Sequence, residues 1–129
     1  MSSRSISFLR RWLPVLLWAG IILGVSSISD PFVVVPDAVT TQDETLGRFA
    51  HVAEYAILGV LLMRALVQKG RISLKLASAA AIGGFAFGLL DELFQSSVPE
   101  RAFQLLDLGL DLSGILLGIL VFAAVKSRG

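Results

Sequence analysis

Four long apolar runs dominate this chain and decide what it can fold into. They extend over residues 12–29, 48–67, 73–95 and 105–125, and each is close to the roughly 20 residues that an α-helix needs to cross a bilayer. Hydrophobic residues make up 55% of the 129 positions, more than a soluble domain of this size could bury. The sequence therefore predicts an all-α fold, a four-helix transmembrane bundle that forms a single membrane domain over residues 1–129.

The first apolar run also has the pattern of a cleaved signal peptide, because a basic start precedes it and small residues occupy much of positions 24–29. We favour a retained membrane helix, since its loss would leave the other three helices without one wall of the bundle. Within this helix, we expect Trp12 and Trp18 to face lipid near the membrane interface.

Charged residues are distributed unevenly between the two ends of the predicted bundle. Nine of the eleven Lys and Arg residues fall at one end, and all ten Asp and Glu residues fall at the other. Basic residues that flank membrane helices mark the cytoplasmic side. We therefore expect both termini to be cytoplasmic and the acidic end of the bundle to face the extracytoplasmic side.

Polar side chains recur near the acidic end of three of the four runs, at helical spacing. They are His51, Glu54 and Tyr55 on the second run, Asp91, Glu92 and Gln95 on the third, and Asp107 and Asp111 on the fourth. Residues three or four apart lie on one face of a helix. With a rise of about 1.5 Å per residue, His51, Glu54, Asp91 and Asp111 should form a polar layer roughly 5 to 10 Å below the outer helix ends.

Charges in such a layer need partners or water. An ionisable group costs roughly 2.5 to 3.5 kcal/mol at the bilayer centre and less near the interface. The cations available to the layer are Arg48, His51 and Arg101, and the acids outnumber them. We therefore expect at least one buried carboxyl group to lack a cation and to be protonated near neutral pH.

Two G-x-x-x-G pairs lie on the same helical stripes as the acids. They are Gly84 and Gly88 on the third run, and Gly114 and Gly118 on the fourth. This spacing lets two membrane helices approach closely. Close approach of the third and fourth helices through these glycines would also bring Asp91 near Asp111.

Metal binding is a minor alternative for the polar layer. A carboxylate-bridged di-metal bundle uses Glu-x-x-His on two helices, whereas this chain has one histidine, in the order His51-x-x-Glu54. A single ion bound by His51, Asp91 and Asp111 is the arrangement that remains. We expect no cofactor. No basic tract indicates a nucleic-acid partner, and the chain has no cysteine for a disulfide or a thiolate site.

The polar residues and glycines also follow a characteristic order along three hydrophobic segments. That order is His51-x-x-Glu54-Tyr55-x-x-Leu58-Gly59, then Asp91-Glu92-x-x-Gln95, Pro99-x-Arg101, and Asp107-x-x-x-Asp111-x-x-Gly114. Over residues 48–125 the chain resembles the VanZ-like family of small bacterial membrane proteins. An asparagine is common in that family where Asp111 stands, so this chain carries an additional acid at the position.

The resemblance implies a multi-pass protein of the bacterial plasma membrane, and most members of the family have no assigned reaction. The family takes its name from an accessory protein associated with resistance to teicoplanin, a glycopeptide with a lipid tail. We therefore expect the polar layer to bind or handle a cell-envelope lipid or a lipid-tailed amphiphile. The residues assigned to this ligand are Arg48, Tyr55, Gln95, Arg101, Asp107 and Asp111.

Two other interpretations of the polar layer remain open. The first is an intramembrane hydrolase or transferase, with or without a metal, that acts on an envelope component. Its catalytic groups would be His51, Glu54, Asp91 and Glu92. The second is a structural lock, in which the polar groups only hold the helices together and bind no ligand.

Overall fold

The computed structural model describes residues 2–28, 43–68, 70–99 and 101–129. Within these residues the chain forms four α-helices and no strand: α1 (Ser3–Ser26), α2 (Asp43–Leu66), α3 (Leu74–Gln95) and α4 (Leu105–Ser127). All four helices are long and apolar enough to cross a membrane. The prediction of an all-α bundle with four membrane-spanning helices is confirmed.

Helices α1, α2 and α4 each extend beyond one end of the corresponding apolar run, most clearly α1. This helix begins at Ser3, nine residues before the predicted start at residue 12, and the Ser2 hydroxyl caps it by accepting a hydrogen bond from the backbone N–H of Ser5. It ends at Ser26, before the predicted end at residue 29. Hydropathy locates the part of a helix that lies in lipid, whereas arginine and serine at a helix start continue the backbone hydrogen bonding into the polar flank.

Helix α2 packs most extensively against α4, and glycines allow the two backbones to meet. A Cβ atom added to Gly118 would overlap the carbonyl oxygen of Ala56, and one added to Gly59 would lie 2.5 Å from the carbonyl oxygen of Ile115. Gly114 likewise lies against the backbone of α2. The G-x-x-x-G pair of α4 therefore packs on α2 rather than on α3.

The glycines of α3 make room for side chains of the neighbouring helices. A Cβ atom added to Gly84 would lie 2.8 Å from the Ile115 side chain. One added to Gly88 would lie 3.3 Å from the Tyr55 ring and 3.4 Å from the Asp111 carboxylate. Gly88 is thus part of the wall around the polar layer, and its missing side chain creates the space that Tyr55 and Asp111 occupy.

Helix α1 lies against α2 and α3. Ile22 is buried, and the indole N–H of Trp18 donates to the backbone carbonyl of Glu54 at 2.8 Å. The expectation that Trp18 faces lipid is wrong in this respect, because the indole is half-buried against α2. An indole N–H inside a membrane needs an acceptor, and the carbonyl of Glu54 supplies one.

The up-and-down order of the helices brings the polar layer together at one end. The C-terminal ends of α1 and α3 meet the N-terminal ends of α2 and α4 there, as shown by contacts between Gln95 and Ser26 and between His51 and Asp111. We call this the acidic end. The opposite end, which we call the basic end, contains Arg10, Arg11 and Arg64.

Candidate functional site

His51 links α2 to α4 within the acidic end. Its Nδ1 lies 2.7 Å from Oδ1 of Asp111, and its Nε2 lies 3.7 Å from Oδ2 of Asp107. The four-residue spacing of the two acids puts both on one face of α4, so a single imidazole reaches both. Asp111 is fully buried, whereas the side chains of His51 and Asp107 are 14% and 17% exposed. The hydrogen bond to Asp111 fixes the ring and directs Nε2 toward the partly exposed side.

Asp91 is the centre of a second group of hydrogen bonds that joins three helices. The Tyr55 hydroxyl and the Gln95 amide both donate to its Oδ2, at 3.1 and 3.2 Å. The same amide of Gln95 donates to the hydroxyl of Ser26 at 3.0 Å, and Arg101 donates to the Ser26 carbonyl at 3.3 Å. Tyr55, Asp91, Gln95 and Ser26 are all buried.

Glu92 follows Asp91 directly but faces a different neighbour, because successive residues point about 100° apart around a helix. Its Oε2 accepts a hydrogen bond from the backbone N–H of Gln104 at 3.2 Å, in the segment that leads into α4. Ligand atoms of His51, Glu92 and Asp107 all lie within 4.8 Å of one another. Glu92 therefore joins the histidine group, and Asp91 belongs to the tyrosine and glutamine group.

The residues that the structure brings together as possible metal ligands differ from the predicted set. The predicted set was His51 with Asp91 and Asp111, but Asp91 is bonded to Tyr55 and Gln95, and Asp111 occupies Nδ1 of the ring. The histidine and acid ligands that the described part of the chain does bring together are His51, Glu92 and Asp107. In that set Asp111 is the outer partner that orients the imidazole, as carboxylates commonly do for histidine ligands.

Three carboxylate oxygens of the site have no hydrogen-bond partner among the described residues. They are Oδ1 of Asp91, Oε1 of Glu92 and Oδ2 of Asp111, and all three carboxylates are at most 1% exposed. Buried polar atoms in folded proteins almost always have a partner, because an unpaired one costs about 1–3 kcal/mol. Each of these three carboxylates therefore has hydrogen-bond partners among the described residues on one of its two oxygens only.

Arg48 and Glu54 lie at the margin of this cluster. Arg48 is exposed in the first turns of α2 and lines a cavity of about 260 Å³ with apolar walls. The other lining residues are Thr45, Phe49, Val52 and Leu110. Glu54 is half-buried, and its contact to α1 runs through its backbone carbonyl. Among the described residues, no hydrogen bond to the Glu54 carboxylate ties it to the cluster.

The sequence pattern did not reveal Ser26 as a member of the site. This buried serine accepts a hydrogen bond from Gln95 through its hydroxyl and another from Arg101 through its carbonyl. Its only sequence signal is a polar residue at the C-terminal end of an apolar run, where small residues also fit a signal-peptide cleavage site. The contribution of Gln104 comes from its backbone N–H, which no side-chain pattern could indicate.

Comparison with known proteins identifies the family of this chain. No curated protein and no solved structure matches the chain. The VanZ/LLP1 family model matches residues 7–126, nearly the whole chain. The match begins within α1, so it includes Ser26 and all four helices, whereas the resemblance in the motifs began at residue 48. The chain is a multi-pass membrane protein that belongs to the VanZ/LLP1 family.

Proposed function

We propose that the acidic end binds the polar head of a cell-envelope lipid or lipid-tailed amphiphile. The observation that carries this proposal is a set of three buried carboxylate oxygens that find no hydrogen-bond partner in the described part of the chain. They lie beside the partly exposed pair of His51 and Asp107. Oxygens of this kind accept hydrogen bonds. The head group should therefore carry donors, such as hydroxyl, amine or amide N–H groups.

A structural lock explains these oxygens less well. Hydrogen bonds through Ser26, Tyr55, Gln95 and His51 already tie the four helices together. A lock gains nothing from further buried carboxylate oxygens that lack partners, since a partly satisfied polar network costs more than an apolar core. The presence of a buried Glu92 is better explained by a ligand that completes its hydrogen bonds. Within the described part of the protein, its carboxylate accepts one hydrogen bond, from the backbone N–H of Gln104.

The apolar cavity beside Arg48 supplies a second element of amphiphile binding. It lies between the first turns of α2 and α4, one helical turn from His51 and Asp107. Its volume of about 260 Å³ suits a short apolar group rather than a whole acyl chain. Arg48 and Arg101 can then meet polar or anionic atoms of the head, because guanidinium groups bind such atoms through several donors.

The orientation of the site belongs to the same proposal. The acids of the described helices lie at the acidic end, and eight of the ten Lys and Arg residues that the structure describes lie at the other. Basic flanks favour the cytoplasm, so we place the site toward the extracytoplasmic leaflet of the bacterial plasma membrane. Lipid-linked components of the cell envelope are then the ligand class within reach.

Mass spectrometry of lipids that co-purify with the protein tests this proposal. His51→Gln and Asp107→Asn change the partly exposed pair, and Arg71→Gln at the basic end serves as the matched control. We expect wild type and control to retain a lipid or amphiphile that both site variants lose. Asp107→Asn leaves the His51–Asp111 hydrogen bond in place, so its loss of ligand should come with unchanged thermal unfolding. The same co-purified species in all four proteins would contradict binding at the acidic end.

A catalytic role is the second candidate, favoured by the orientation of His51. Asp111 holds Nδ1, while Nε2 lies 3.7 Å from Oδ2 of Asp107, and ligand atoms of His51, Glu92 and Asp107 lie within 4.8 Å of one another. A histidine held in this way can act as a general base. Alternatively, His51, Glu92 and Asp107 together fit one divalent cation such as Zn²⁺ or Mn²⁺. An intramembrane hydrolase or transferase would use either chemistry on an envelope component.

The metal content of the purified protein distinguishes a metal-dependent enzyme from one that uses His51 as a general base without a metal. If the site takes an ion, wild type should hold close to one equivalent of Zn²⁺ or Mn²⁺ after dialysis, and Glu92→Gln should hold much less. Arg71→Gln should bind like wild type. Equal metal content in wild type and Glu92→Gln would remove the metal-dependent form and leave His51 acting as a base alone.

A further inference from the structure

A cavity of about 390 Å³ opens at the basic end of the bundle, on the opposite side from the proposed ligand site. It is lined by Ser3, Ile6, Ser7, Arg10 and Arg11 of α1 and by Arg64 of α2. Spacings of three and four residues put the lining residues of α1 on one helical face. Arg64 reaches the same cavity from the last turn of α2.

Within the part of the chain that the structure describes, no acidic side chain pairs with these three arginines. The acids of the described helices lie within residues 43–54 of α2, 91–92 of α3 and 107–111 of α4, all at the acidic end. Like charges around one cavity repel each other, and their repulsion is stronger near a membrane than in bulk water. The carbonyl groups at the C-terminal end of α2 offset only part of the charge of Arg64. An anion from outside the protein would therefore be stabilised in this cavity.

The surroundings of the cavity favour a lipid as the source of that anion. Ile6 belongs to the lining, and Leu13 and Leu17 lie one and two turns further along α1 from Arg10. Both leucines are exposed, at 46% and 60%, and so form an apolar surface that begins beside the cavity. A phosphate placed among the arginines would have its acyl chains along this surface.

We propose that Arg10, Arg11 and Arg64 bind the phosphate of an anionic phospholipid. Guanidinium groups bind phosphate oxygens through paired N–H donors, and basic pockets between membrane helices are suited to such head groups. The hydroxyl of Ser3 adds a donor at the rim of the same cavity. This site is separate from the ligand site at the acidic end and does not depend on the function proposed there.

Binding of phosphatidylglycerol to delipidated protein in uncharged detergent tests the proposal, with phosphatidylcholine as the zwitterionic reference. The cavity variant carries Arg10→Gln, Arg11→Gln and Arg64→Gln. The control variant carries Arg4→Gln, Arg71→Gln and Arg128→Gln, which remove equal charge from the basic end without changing the lining. At about 1 kcal/mol per basic residue, the cavity variant should lose on the order of a hundredfold in affinity for phosphatidylglycerol. The control should lose less than about tenfold.

Three results would overturn this site. Equal losses of phosphatidylglycerol affinity in the two variants would show that total charge attracts the lipid and that the cavity is not a specific site. Equal affinity of wild type for phosphatidylglycerol and phosphatidylcholine would show that the site does not recognise an anionic lipid. Displacement of phosphatidylglycerol by millimolar inorganic phosphate would show that the cavity takes a soluble phosphate. Should the triple cavity variant fail to fold, Arg64→Gln alone replaces it, and an unchanged affinity in that variant would equally contradict the proposal.

Discussion

Replacing Gly118 by alanine should destabilise the bundle, although alanine is the better helix former. The added methyl group would overlap the carbonyl oxygen of Ala56, so α2 and α4 must separate by on the order of 1 Å to restore ordinary contact. Overpacking of this kind costs about 1–3 kcal/mol, and alanine in place of glycine returns up to about 1 kcal/mol. The free energy of unfolding should therefore fall by about 1–2 kcal/mol.

The same helix provides a matched control at Gly109. A Cβ atom there meets nothing within 4 Å, so Gly109→Ala should be neutral or stabilise the protein by up to about 1 kcal/mol. Gly114→Ala should fall on the destabilised side, because its Cβ atom would lie 2.5 Å from the carbonyl oxygen of Val52. Equilibrium unfolding of the purified variants in mixed detergent and dodecyl sulfate micelles measures the order.

A Gly118→Ala variant that resists dodecyl sulfate as well as Gly109→Ala does would refute this reasoning. Such a result would mean that α2 and α4 are not in backbone contact. The packing of the bundle would then have to rest on side chains, and the close approach that positions His51 beside Asp111 would lose its structural cause.

Three further predictions concern orientation and the polar cluster. Reporter fusions in the α2–α3 connection and after α4 should be cytoplasmic, and fusions in the α1–α2 and α3–α4 connections should be outside; the opposite pattern would place the ligand site at the cytoplasmic leaflet. Tyr55→Phe removes a donor to Asp91 and should lower the free energy of unfolding by about 1–3 kcal/mol, measured as for the glycine variants. Infrared difference spectra should show a protonated carboxyl from at least one of Asp91, Glu92 and Asp111, lost in the corresponding amide variant; no band would mean that water reaches all three.

Hydropathy and helical spacing predict most of this fold because both depend on local sequence. Each apolar run became a helix, and Asp107 and Asp111 share the face of α4 that their four-residue spacing requires, since His51 reaches both. The start of α1 lay outside this signal, since Ser2 caps a turn of the chain that precedes the apolar run. A hydropathy profile measures the solvent around a helix and carries no information on its hydrogen-bonded ends.

Which helix contacts which was beyond the sequence pattern. The spacing of Gly114 and Gly118 correctly indicates a surface for close approach, but any helix of the bundle could have supplied the partner. Trp18 was misjudged for the same reason, because an indole at the membrane boundary is also suited to a hydrogen bond inside the bundle. Partner choice depends on packing among all four helices, which a single sequence does not reveal.

The division of the acids between two groups also required the structure. Adjacent residues of one helix can face different partners, and Asp91 and Glu92 do so: one accepts hydrogen bonds from Tyr55, the other lies near His51. The sequence predicted a polar layer and named its side chains, but it could not assign them to a histidine group and a tyrosine group. The unpartnered oxygens follow from that division.

The central claim is that the buried acids serve a ligand rather than lock the helices, and Glu92→Gln tests it most directly. The change removes the charge but keeps an oxygen that can accept the hydrogen bond from the backbone of Gln104. Thermal unfolding in detergent and the mass of co-purified amphiphile are measured on the same preparations of variant and wild type. We predict that the variant unfolds at the same or a higher temperature than wild type while its bound amphiphile is lost. A lower unfolding temperature with the bound amphiphile retained would contradict the claim and identify Glu92 as part of a structural lock.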